Sequence, residues 1–114
     1  MSYDLDEFQM AARRIGLEHR EAIQQCEDAG KRKASAERNY RALLARALTI
    51  IKSQHGATNA EKIAQGEKDV AEAKESVLIA EAEDRAAFQR VKLAEADRAV
   101  LLTMGSWSKS QENW

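Results

Sequence analysis

Apolar residues recur along this chain at alternating intervals of three and four, in two stretches separated by one cluster of helix-breaking residues. The first stretch aligns Leu5, Phe8, Ala12, Ile15, Ala22, Cys26, Ala29, Ala36, Tyr40, Leu43, Ala47 and Ile50, interrupted only by His19 and Lys33. The second aligns Ile63, Gly66, Val70, Ala73, Val77, Ala80, Ala87, Val91, Ala94 and Leu101, interrupted by Asp84 and Arg98. A strict 3-4 repeat sustained this long predicts a left-handed coiled coil rather than a globular helix packed by a wider stripe.

The breakers are Ser53-Gln54-His55-Gly56-Ala57-Thr58-Asn59. Gly56 suits the left-handed residue past a helix end, and Lys52 and His55 suit the negative pole beside it. Thr58 with Glu61 three residues later reads as a capping box, and Asp4 with Glu7 as a weaker start signal. Gly105 reads as the end of the second helix. The expected hairpin occupies residues 1–105, with helices at 4–54 and 59–104 and a turn at 55–58. Residues 106–114 are expected to be a flexible tail. Gly16 and Gly30 fall inside the first helix, where each costs about 1 kcal/mol against alanine and either is a candidate kink.

Folding back at Gly56 brings together residues whose numbers sum to about 113. Ile50 is then expected opposite Ile63, Leu43 opposite Val70, Tyr40 opposite Ala73 and Ala36 opposite Val77. Lys33 falls near Asp84, so the polar exceptions in the two seams can pair and fix the register. The fold class is therefore all-α: a long antiparallel helical hairpin, a two-helix coiled coil. A lone ribbon with so much alanine in its seam buries little apolar surface against its ordering entropy. Further apolar residues lie off the seam, so assembly into a homo-oligomeric helical bundle is expected, with Leu44, Leu48, Ile51, Leu78 and Ile79 in the interface. A first helix folded over those residues within a monomer is the other arrangement.

Composition sharpens the picture. The 114 residues include no proline and only five glycines, with 32% charged residues and 5% aromatics. That profile belongs to long helices, and it excludes a β-sandwich, a disulfide scaffold and a collagen-like chain. Few loop-forming residues leave little from which to build a pocket, so no enzyme is expected. His19 and His55 have no ligand partners at metal spacing, and Cys26 has no histidine within a helical turn. The glycines are isolated, so no phosphate loop exists. No catalytic, cofactor or metal residue is expected. The single cysteine, the acidic start and the lack of an 18-residue apolar run point to a cytoplasmic protein without membrane contact.

Net charge is −1, yet the charge is segregated. Between 31 and 52, seven basic residues (Lys31, Arg32, Lys33, Arg38, Arg41, Arg46, Lys52) face Glu37 alone. Between 67 and 84, seven acidic residues stand against Lys68 and Lys74. The blocks lie alongside each other in the expected register. They serve flank-to-flank pairing, or the off-seam Arg38, Arg41 and Lys52 of the basic block, with Tyr40 in its middle, face phosphates that the acidic arm leaves them free to hold. Trp107 is expected to fold back onto Leu5 and Phe8 as a plug, with Trp114 disordered. Alternatively, the tail is a free peptide whose aromatics anchor a partner.

The run Ala36-Glu37-Arg38-Asn39-Tyr40-Arg41-Ala42-Leu43-Leu44-Ala45-Arg46-Ala47, the restart Thr58-Asn59-Ala60-Glu61-Lys62-Ile63-Ala64 and the close Arg98-Ala99-Val100-Leu101-Leu102-Thr103-Met104-Gly105-Ser106-Trp107-Ser108 carry a resemblance. Over roughly residues 30–110 the chain resembles UvsY-type recombination mediators and related small helical bacteriophage proteins. The resemblance implies an oligomeric protein that binds single-stranded DNA and helps load a recombinase onto strands coated by single-strand-binding protein. It makes Lys31, Arg32, Arg38, Arg41 and Arg46 the contact candidates, with Lys52 added from the basic block, and places the protein in a host cell's cytoplasm. The net charge and the acidic arm depart from a simple DNA binder. The alternative is a coiled-coil interaction or assembly module with no nucleic-acid role. A secreted hairpin class with a Trp-x-Gly turn does not fit the turn His55-Gly56-Ala57-Thr58.

Overall fold

The computed structural model describes the backbone of residues 5–56 and 59–112, and the side chains of 5–54, 56 and 59–106. The chain is an all-α antiparallel hairpin: α1 spans Leu5–His55, α2 Ala60–Gly66 and α3 Lys68–Glu112. Contacts divide it into two units, unit 1 from residues 1–27 and 86–114 and unit 2 from residues 28–85. With no proline in the chain, α1 continues unbroken through Gly16 and Gly30. The reversal follows Gly56, whose φ of 77° is the only positive value among the described residues. Its N–H donates to the Lys52 carbonyl at 3.2 Å, closing the last turn of α1. Asn59 caps α2 without a side-chain hydrogen bond. The proposed caps at Asp4 and Thr58 lie outside the described residues.

In unit 2 the seam of α3 is as expected: Val70, Ala73, Val77 and Ala80 are buried, and they face the half-buried Lys33, Ala36, Tyr40 and Leu43 of α1. The seam exceptions meet, Lys33 Nζ standing 3.7 Å from Asp84 Oδ2. Near the turn the expectation fails. Ile50 and Ile63 are 51% and 39% exposed rather than paired, while Ile51 is 4% exposed and packs with Ala60 and Ala64. The expected single second helix is broken. Glu67 adopts an extended backbone (φ −60°, ψ 138°) between α2 and α3. Its N–H donates to the Ala64 carbonyl and its own carbonyl accepts from Ala71 N–H, so it ends one helix and starts the next. In a continuous helix the six residues from Ala64 to Val70 would turn the two onto different faces, at about 3.6 residues per turn. The break at Glu67 lets both face inward. That leaves Gly66 outside the seam.

This rearrangement also relocates the turn-proximal interface candidates. Leu44 and Leu48 are half-buried against the Ile51–Ala60–Ala64 cluster, so α2 covers this patch from within the chain. Leu44, Leu48 and Ile51 thus follow an i, i+4, i+7 stripe that the helical period puts on one face.

In unit 1, Ala22 of α1 and Ala87, Ala94 and Leu101 of α3 are buried. Phe8, Ala12, Ile15, His19, Cys26 and Val91 are half-buried, while Leu5 and Arg98 fall outside the contact as exposed residues. Pairs across the two units' own helices have residue numbers summing to between 113 and 117, as in Phe8 with Gly105 and Lys33 with Asp84. Gly105 does not end the helix, because α3 runs on to Glu112 and takes in most of the expected tail. The glycine serves closeness instead. A Cβ built there would stand 2.5 Å from Phe8 Cζ and 2.7 Å from Cε2, so the Phe8 ring lies directly on the α3 backbone. The Trp107 side chain and Trp114 lie outside the described residues.

Two stability measurements check this packing. Ile51→Ala removes a buried side chain and is expected to cost about 2–4 kcal/mol in chemical denaturation, whereas exposed Ile50→Ala stays within about 0.5 kcal/mol. Gly105→Ala gains helix propensity but must push the half-buried Phe8 ring aside, so it is expected to raise Tm less than Gly16→Ala or to lower it. Gly16→Ala, with nothing within 4 Å of the added carbon, is expected to raise it.

Candidate nucleic-acid interface

The heptad seam of α1 sorts the basic block by position. Lys31, Arg38 and Lys52 fall at intervals of seven and fourteen residues, on the line opposite the buried seam. Arg41 lies one turn beyond Arg38 and beside that line. All four are exposed. At 1.5 Å per residue, Lys31 and Lys52 stand about 32 Å apart along α1. The only acidic residue of this stretch, Glu37, accepts a long contact from Arg41 Nη2 at 3.8 Å, and the arginine side chain remains 75% exposed. Among the described residues no ion pair engages Lys31, Arg38 or Lys52.

The remaining basic residues look the other way. Arg32 Nε stands 3.4 Å from Glu83 Oε2, and Lys33 is occupied by Asp84. Arg46 rims a groove of about 240 Å³ together with Glu67 and Asp69. These three sit at seam or seam-flanking positions, and the acidic arm of α3 pairs with Arg32 and Lys33. Tyr40 is half-buried, with the Lys74 ammonium 5.1 Å above its ring. One face of that ring is therefore occupied by a cation. The sequence candidates thus separate into an outer set and an inner set. The heptad letters alone carried that distinction, since residues seven apart share a face.

The other candidates of the sequence are scattered. Leu78 and Ile79 are 52% and 53% exposed on α3. Cys26 is a free, half-buried thiol in the unit 1 seam. His19 also lies in that seam; its Nε2 is buried without a hydrogen-bond partner, and Glu95 Oε1 is 4.0 Å away. The His55 side chain lies outside the described residues. Among the described residues no three metal-binding side chains gather, and no helix is long and apolar enough to cross a membrane. Two grooves of unit 1, of about 200 and 520 Å³, are both rimmed by Glu18 and Asp97 and lined by no histidine or cysteine.

Against known proteins, no family model, no curated protein and no solved structure matches the chain.

The two sets of basic residues are distinguishable by melting. Lys33→Glu sets a like charge against Asp84 and is expected to cost about 1–2 kcal/mol, moderated by the half-exposed position of the pair. Arg38→Glu, on the outer line, is expected to change stability by less than about 0.5 kcal/mol. Thermal denaturation followed by circular dichroism reads both.

Proposed function

We propose that this protein is a non-enzymatic accessory factor that holds single-stranded DNA along the outer face of α1 and assists recombinase loading, as its resemblance to UvsY-type mediators implies. One observation carries the reading. Lys31, Arg38, Arg41 and Lys52 form an exposed basic line along α1, with Glu37 the only carboxylate in the same stretch of the helix. A rigid helix presenting cations at intervals of about one to three turns can track a flexible phosphate backbone without reading bases. The covered ring of Tyr40 argues for phosphate contacts rather than stacking.

Net charge does not oppose this. Charges separated by more than about 10 Å are screened at ordinary ionic strength, so a strand on α1 responds to the outer line more than to distant carboxylates. The inner residues Arg32 and Lys33 contribute to pairing of the helices instead. The second reading, an assembly module with no nucleic-acid role, is favoured by those same pairings, because Arg32–Glu83 and Lys33–Asp84 show the basic and acidic arms neutralising each other.

Fluorescence anisotropy with labelled oligo-dT separates the two. With about four phosphates neutralised, the affinity is expected to fall with a log–log salt slope near −2.8, or about 50-fold between 50 and 200 mM salt. Arg38→Glu with Arg41→Glu is expected to abolish binding while Tm stays unchanged. No binding at micromolar protein in low salt leaves only the assembly module.

A further inference from the structure

We propose that the outer face of α3 in unit 1 is a self-association surface that takes the same face of a second copy of this chain, antiparallel. Ala86, Gln89, Leu93, Ala96, Val100 and Thr103 are all exposed and follow one another at intervals of three and four. Ala86, Leu93 and Val100 each precede a residue of the buried line Ala87, Ala94 and Leu101 and lie about 100° from it, while Gln89, Ala96 and Thr103 lie further round the helix, away from α1. Leu93 and Val100 are 64% and 58% exposed. Single exposed leucines are ordinary on any protein. A second, uncharged 3-4 repeat on the outside of a helix whose first repeat is already buried is a seam without its partner helix.

Charge selects the occupant. Arg90 and Asp97 flank this face on one side, seven residues apart, and Lys92 flanks it on the other. Two copies of the face, antiparallel about a twofold axis near Ala94 and Glu95, bring Arg90 to the partner's Asp97, and the symmetry repeats that pair. Lys92 then meets the partner's Ala99, so along α3 no like charges oppose each other; Glu18 and Glu21 of α1 border the same groove as Arg90 and add negative charge beside it. Along the seam Leu93 meets the partner's Ala96, and Val100 meets the partner's Gln89, large against small. A parallel arrangement instead sets each residue against its own copy, Leu93 on Leu93 and Gln89 on Gln89, and loses the Arg90–Asp97 pairs. Arg90 already donates from Nη1 to Gln25 Oε1 at 2.9 Å, which orients the guanidinium and leaves further N–H donors for a carboxylate. The hairpin holds the helix in its folded form, so association requires no new helix formation.

Sedimentation equilibrium of the full chain, without nucleic acid, tests this apart from the DNA reading. The mass is expected to rise from 12.8 kDa towards twice that value as concentration passes through the micromolar range. Leu93→Glu with Val100→Glu is expected to give monomer throughout, with the helical circular dichroism and Tm of the parent. Arg90→Asp is expected to weaken the dimer at least tenfold, and adding Asp97→Arg to restore it. A parent chain that stays monomeric at all concentrations overturns the proposal. So does a dimer that is indifferent to Leu93→Glu with Val100→Glu, or one that the charge swap fails to restore.

Discussion

Alanine at alternate seam positions is the constraint on which the packing of each unit rests. Ala73, Ala80, Ala87 and Ala94 on α3 and Ala22 and Ala29 on α1 are buried but small, so each adds less apolar area than a leucine would while letting the backbones approach. Closeness gives the few larger or polar seam residues their effect. In unit 2 it brings the Lys33 ammonium to Asp84 across the seam. In unit 1 it sets the Phe8 ring on Gly105, where a methyl group would have to push the ring aside. A seam of leucines would bury more surface but would leave both features out of reach. The polar and glycine positions therefore act as register marks, since a shift by one heptad would strand Lys33 and Asp84 and press a side chain against Phe8.

The 3-4 repeat made the hairpin, its reversal at Gly56 and the Lys33–Asp84 contact legible before any coordinates, because each depends on local period and a single turn. What escaped was a change of phase. Periodicity read at one fixed register put Ile50, Ile63 and Gly66 in the seam. Glu67 leaves the helix instead, and the short α2 turns Ala60 and Ala64 onto Ile51. No proline marks that break and glutamate is a good helix former; the local sign was Gly66, the last residue of α2, which the repeat had placed in the seam. The gain lies in tertiary contacts, in covering Ile51, Leu44 and Leu48. Gly105 escaped for a related reason: glycine both ends helices and permits close approach, and only the position of Phe8 separates the two roles.

The basic block was visible as composition, and the heptad already set Arg38, Arg41 and Lys52 off the seam. Counting charges treats Arg32 and Arg38 as equivalent, whereas six residues along a helix place them on different faces. Arg32 meets Glu83 and Arg38 meets solvent. The same geometry gives α1 an outer basic line and α3 an outer apolar line. The inner faces hold the fold, so an activity carried by either outer line can be removed by mutation without unfolding the chain.

Both outer lines exist only if each unit pairs its helices within one chain, at the register marked by Phe8 and Tyr40. Nuclear Overhauser contacts test this directly. Cross-peaks are predicted between the Phe8 ring and the Gly105 α-protons, and between the Tyr40 ring and the Lys74 ε-methylene, both persisting at the lowest protein concentration. Their absence, or their appearance only as intermolecular peaks in an isotope-filtered experiment on mixed labelled and unlabelled protein, would contradict it.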